Sequence, residues 1–112
     1  AFVHAALSPR GGRIAIVARR RADGRHDVLI ASATTPRPRP RSAFRAKGQI
    51  RSITWSPDRQ IVLADWTGSD QWLFLSAGRG GAASAVSGIS AHFDPGRTRP
   101  RGDVRVQGWC CR

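Results

Sequence analysis

Apolar residues in this chain come in short, dense runs separated by glycine, proline or charge. Ile14-Ala15-Ile16-Val17-Ala18, Val28-Leu29-Ile30-Ala31, Ile61-Val62-Leu63-Ala64 and Trp72-Leu73-Phe74-Leu75 hold four or five residues each. Uninterrupted runs of that length predict strands covered on both faces. The segment Ile50 to Trp55 is nearer to alternation, with Ile53 and Trp55 on one face and Arg51 among them. No window keeps apolar residues at i, i+3, i+4 and i+7 for long, and Gly or Pro intervenes roughly every 10 to 15 residues, so little helix is expected. The chain reads as all-β.

The pattern repeats. Ala6-Leu7-Ser8-Pro9-Arg10-Gly11-Gly12-Arg13-Ile14 aligns, with one residue of slack before the strand, with Thr54-Trp55-Ser56-Pro57-Asp58-Arg59-Gln60-Ile61, and Asp27 to Ser32 aligns with Gln71 to Ser76. The offset is 48 residues at the Ser-Pro pairs and 44 at the later strands, a spacing that suits one four-stranded propeller blade. A degraded third copy of the turn stands at His92-Phe93-Asp94-Pro95-Gly96. Proline pre-sets φ for the first corner of a type I turn, and the Ser before it or the Asp after it can bond local amides. An apolar residue just ahead (Leu7, Trp55, Phe93) would pack the strand end into a blade interface. The expected fold is therefore antiparallel four-stranded β-propeller blades, two to three of a larger propeller. The first blade would span 3–48, with strands near 3–7, 13–18, 26–32 and 43–46. The second would span 49–88, with strands near 50–55, 60–65, 71–76 and 84–87. An incomplete third would occupy 89–112, with strands near 89–93 and 103–107. Thr35 to Arg41 is expected to be loop, since closely spaced prolines cannot sit in a ladder, and Gly78 to Gly81 a second loop.

Trp55-Ser56-Pro57-Asp58 followed by Ile61-Val62-Leu63 resembles the W-S-P-D-G…I-x-(aromatic or aliphatic) core of the bacterial TolB-like, WD40-like propeller repeat. The resemblance covers roughly residues 3–76, with a weaker extension to 96. It departs from the family pattern at Arg59, where Gly is usual, and at Pro9-Arg10-Gly11. It implies a non-catalytic interaction scaffold of the periplasm or cell envelope, with a protein or cell-wall partner and the remaining blades of the parent chain. Related blades also cap serine peptidases of the prolyl-oligopeptidase type, so a peptidase domain elsewhere in the parent is a second alternative.

Charge adds a competing possibility. The sequence holds 18 Arg and one Lys against seven Asp and no Glu, a net charge of +12. Such an excess points to polyanions, although Arg over Lys in a chain without Tyr or Met also fits a GC-rich genome. The candidate contact residues are Arg37, Arg39 and Arg41. In an extended path Arg37-Pro38-Arg39-Pro40-Arg41 would project a guanidinium about every 6 Å, near the spacing of phosphates on one strand. Nucleic acid is possible but not favoured, because no aromatics interleave with the arginines. Trp55, Trp66, Trp72 and Phe74 lie in or beside apolar runs and read as blade filling.

Signs of catalysis are few. No G-x-S-x-G, H-E-x-x-H, C-x-x-C or Walker pattern occurs, and His4, His26 and His92 fall at non-equivalent repeat positions. No enzyme activity, metal or cofactor is expected. Cys110 and Cys111 are adjacent, poor geometry for a mutual disulfide or a shared metal. No run approaches the roughly 18 apolar residues that span a bilayer. With no Met and a strand-like opening at Ala1-Phe2-Val3, the chain is expected to be a piece of a longer protein.

Overall fold

A computed structural model describes residues 2–78, 83–89 and 91, with Phe2 described by its backbone alone. It contains β1 (Phe2–Leu7), β2 (Arg13–Arg19), β3 (His26–Ser32), β4 (Arg41–Ala46), β5 (Ile50–Trp55), β6 (Ile61–Trp66), β7 (Gln71–Ser76) and β8 (Ala83–Ser87). The strands form two four-stranded antiparallel sheets, in the orders β1-β2-β3-β4 and β5-β6-β7-β8. The four apolar runs are β2, β3, β6 and β7, the inner strands of the two sheets. β4 begins earlier than the sequence suggests. Arg41, expected in the loop, pairs with Ile30 as the first residue of the strand; it follows the last proline and has an N–H to give to a ladder. The strands expected near 89–93 and 103–107 lie outside the described residues, Ile89 and Ala91 apart, as do His92, Cys110 and Cys111.

The repeat extends to single hydrogen bonds. The Ser8 amide donates to the Arg13 carbonyl, and Ser8 Oγ accepts from the Arg13 amide at 3.0 Å. Ser56, 48 residues on, does the same with Ile61, whose amide donates to Ser56 Oγ at 3.1 Å. A register shift falls between Phe2 and His4 in one sheet and between Ile50 and Ser52 in the other. The amides of Ala33 and Ala77 donate to the carbonyls of Gly12 and Gln60. The drift to 44 has a simple origin: β2 and β3 pair from Arg13–Ser32 out to Arg19–His26, whereas β6 and β7 pair from Ile61–Ser76 only to Trp66–Gln71. The second hairpin is shorter at its far end.

One detail of the turns differs from expectation. In the second copy Asp58 accepts from the Ser56 hydroxyl and from the Gln60 amide. That holds the Pro57-Asp58 corner at negative φ, as a type I turn requires, and leaves Arg59 left-handed at φ +64°. The first copy has no acid to do this. There Arg10 itself turns left-handed (φ 69°, ψ 3°) and Gly11 follows at +74°, which is the geometry of a type II corner.

The two sheets share one core. Ala15, Val17, Val28, Ile30 and Ala46 of the first sheet cluster with Ile50, Trp55, Val62, Ala64, Leu73 and Leu75 of the second. Polar groups fix the stacking. The Trp55 ring is 5% exposed, and its Nε1 donates to the Ala6 carbonyl across the interface at 2.9 Å. Buried His26 accepts the Ile50 amide on Nδ1 at 3.1 Å. Phe44 meets Trp66 edge to face at 5.2 Å, a favoured aromatic arrangement. The crossover from β4 to β5 is held by Trp66 Nε1 donating to the Lys47 carbonyl and by a close approach of Gly68 to Gly48.

Candidate arginine-lined groove at the turn end

An antiparallel meander sends its first and third connections to one end and its second to the other. The Ser8–Gly12 turn, the 33–40 loop, the Ser56–Gln60 turn and Ala77-Gly78 therefore share one end of the stacked sheets. Charge follows this division. The turn end carries Arg10, Arg13, Arg37, Arg39, Arg41 and Arg59, with Asp58 as its one acid among the described residues. Asp23, Asp27, Asp65 and Asp70 all lie toward the opposite end.

Three arginines at the opposite end, Arg20, Arg25 and Arg45, are drawn into pairs. Arg45 Nε donates to Asp27 Oδ1 at 2.8 Å, and this bond raises the guanidinium pKa above its ordinary value. Arg20 and Arg25 lie within 3.9 Å and 3.8 Å of Asp23. The Arg25 amide and these charges hold the Asp23 carboxyl below the usual range. At the turn end the one acid is engaged differently. The Ser56 hydroxyl and the Gln60 amide lower the pKa of Asp58. Among the described residues, Arg10, Arg13, Arg39 and Arg59 have no salt bridge.

Three adjoining clefts cross this end. One of about 400 Å³ is lined by Gly12, Arg13, Ile30, Arg39, Arg41 and Ala77 among others. A second, of about 300 Å³, lies between Ser8, Gly12, Arg13, Arg59 and Gln60. A third, of about 400 Å³, is lined by Pro9, Arg10, Pro57, Asp58 and Arg59. Arg13 is common to the first two and Arg59 to the last two, so the clefts lie side by side in a row that crosses both sheets.

The three arginines singled out from sequence are not equivalent in this setting. Arg37 is exposed in the loop and lines none of the clefts described above, while Arg39 and Arg41 line the first. Arg41 also spends a donor on structure: its Nη2 gives a hydrogen bond to the Ala77 carbonyl at 3.0 Å, tying β4 to the end of β7. Sequence reasoning missed Arg10, Arg13 and Arg59. The available signal was the repeat itself, since Arg10-Gly11 and Asp58-Arg59 occupy equivalent turns. Among the described residues no group of His, Cys, Asp and Glu could hold a metal ion, and no helix is long and apolar enough to cross a membrane. Comparison with protein-family models, curated proteins and solved structures finds no match.

Proposed function

We propose that the chain is a pair of successive β-propeller blades acting as a non-catalytic scaffold, and that its parent places further blades of the same kind beside them. The observation that carries this reading is the interface between the sheets. Trp55, deep in that interface, has Leu7 as its counterpart 48 residues earlier, and Leu7 is 62% exposed. Phe44 packs on Trp66; its counterpart by pairing register, Val86, is 51% exposed. Each sheet thus has a front face shaped to lie on a preceding sheet and a back face shaped to receive the next.

The chain leaves the second sheet much as it leaves the first. Buried Ile89 donates its amide to the carbonyl of Asp70, 44 residues after the His26 that takes the amide of Ile50. Resemblance of the Trp55–Asp58 turn to the TolB-like repeat supports an envelope setting and a protein or cell-wall partner. A scaffold of this kind presents its loops to the partner and keeps its sheets for stacking.

The structure of the chain in its natural sequence context tests the reading. Four-stranded sheets stacked on the Leu7 face support it. A Leu7 face left bare, or covered by helices, overturns it.

A further inference from the structure

We propose that the groove at the turn end binds a linear polyanion bearing phosphate or sulfate groups, with Arg13 and Arg59 as its central contacts and Arg10 and Arg39 extending them on either side. Three independent features converge there. The neighbouring clefts line up in a row across two sheets, about 10 Å apart as packed sheets are. A polymer can follow such a row and a small anion cannot fill it. Of the acids among the described residues only Asp58 lines the clefts, where Ser56 and Gln60 engage it, and the groove guanidiniums have no salt bridge among the described residues.

Backbone conformation is the third feature. Both repeats place an arginine in the left-handed region at this groove, Arg10 at +69° and Arg59 at +64°, where Gly is the residue with no steric cost. Unfavourable backbone at a ligand-facing residue is a pattern of binding sites.

The lining selects among polyanions. It holds no aromatic ring, so the bases of a single strand would find nothing to stack on. It offers no large apolar pocket for the buried anchor that a protein partner brings. What it offers is guanidinium forks, which match the oxygens of tetrahedral phosphate or sulfate. Charge along a flexible backbone is the feature it can read.

The test is calorimetric titration of the whole chain with long-chain polyphosphate and, separately, with heparin at 150 mM salt. The two arms distinguish phosphate from sulfate as the source of the shared chemistry. The Arg13→Ala/Arg59→Ala double variant should weaken binding by about tenfold or more. The Arg20→Ala/Arg21→Ala pair removes the same charge at the opposite end and should change it less than about twofold. Arg59→Gly guards against a folding artefact, because it removes the groove charge while relieving the backbone; it should melt no lower than the parent and still bind less. Equal losses from the two pairs would reduce the effect to net charge and overturn the site. So would tighter binding of poly-glutamate, which would make an acidic protein the partner, or of single-stranded DNA, which would make it a nucleic acid.

Discussion

At the scale of single residues, the two Ser-Pro turns show how one side chain redistributes backbone conformation. Asp58 takes hydrogen bonds from Ser56 and Gln60 and keeps its own φ negative, leaving only position 59 left-handed; with Arg10 in its place, that position turns left-handed together with Gly11, the equivalent of Arg59. Arg59→Gly should therefore stabilise the fold by about 0.5–1 kcal/mol, the steric gain at positive φ exceeding the extra entropy of an unfolded glycine. Urea unfolding monitored by tryptophan fluorescence checks this, and an unchanged or lower midpoint counts against it. Asp58 also predicts a pH dependence. Its folded pKa is depressed by the Ser56 hydroxyl first and the Gln60 amide second. A depressed carboxyl contributes stability that is fully present above the ordinary aspartate pKa of about 3.9 and is lost as pH falls through the lower folded value. Asp58→Ala should be less stable than the parent at pH 7, and the gap should close as pH falls below 4. A gap independent of pH would place the effect in packing instead.

Among elements, the informative contacts are those that lock one sheet to the next. His26→Leu leaves the buried Ile50 amide without its acceptor, which should cost about 1–3 kcal/mol. Trp55→Phe keeps most of the ring but strands the Ala6 carbonyl, with a loss of similar size. Because both act at the interface, amide exchange should quicken at the junction of β1 and β5 more than inside either hairpin. Gly68→Ala acts on the crossover. An added Cβ would sit 3.1 Å from Gly48 Cα and Gln49 N, so backbone must move, and a destabilisation of about 1–3 kcal/mol is expected. The inner strands were legible because their apolar runs are long and recur. The start of β4 was not, since alternating prolines hid the ladder-competent Arg41. His26 was illegible for a different reason: its role depends on register across two sheets, and its repeat counterpart, Asp70, acts through its carbonyl rather than its side chain. The groove was half legible. Arg39 and Arg41 stand in an obvious basic run, whereas Arg13 and Arg59 are remote in sequence and meet only when equivalent turns stack.

For the whole molecule, the repeat makes the outer face of the first sheet interpretable. In the second sheet the face toward its neighbour holds Trp55, Val62, Ala64, Leu73 and Leu75, all nearly buried. The corresponding residues of the first sheet are Leu7, Ile14, Ile16, Leu29 and Ala31. Of these only Ala31 is buried; Ile14, Ile16 and Leu29 are half-buried, and Leu7 projects into solvent. A contiguous apolar face of this kind drives association, while the net charge of +12 opposes it through repulsion that salt screens. The two effects give an unusual combined prediction. Self-association measured by sedimentation velocity should rise with protein concentration and also with salt, from 50 to 500 mM. A charge-driven assembly would instead weaken as salt rises. Leu7→Lys places a charge at the most exposed point of the face and should shift the chain toward monomer at every salt concentration, without lowering its melting temperature, because Leu7 contributes little to the internal core. Leu7→Trp copies the residue that performs the stacking in the second sheet and should strengthen association. If the two substitutions leave the sedimentation profile unchanged, the first sheet's outer face is not a stacking surface, and the blade reading loses its main support.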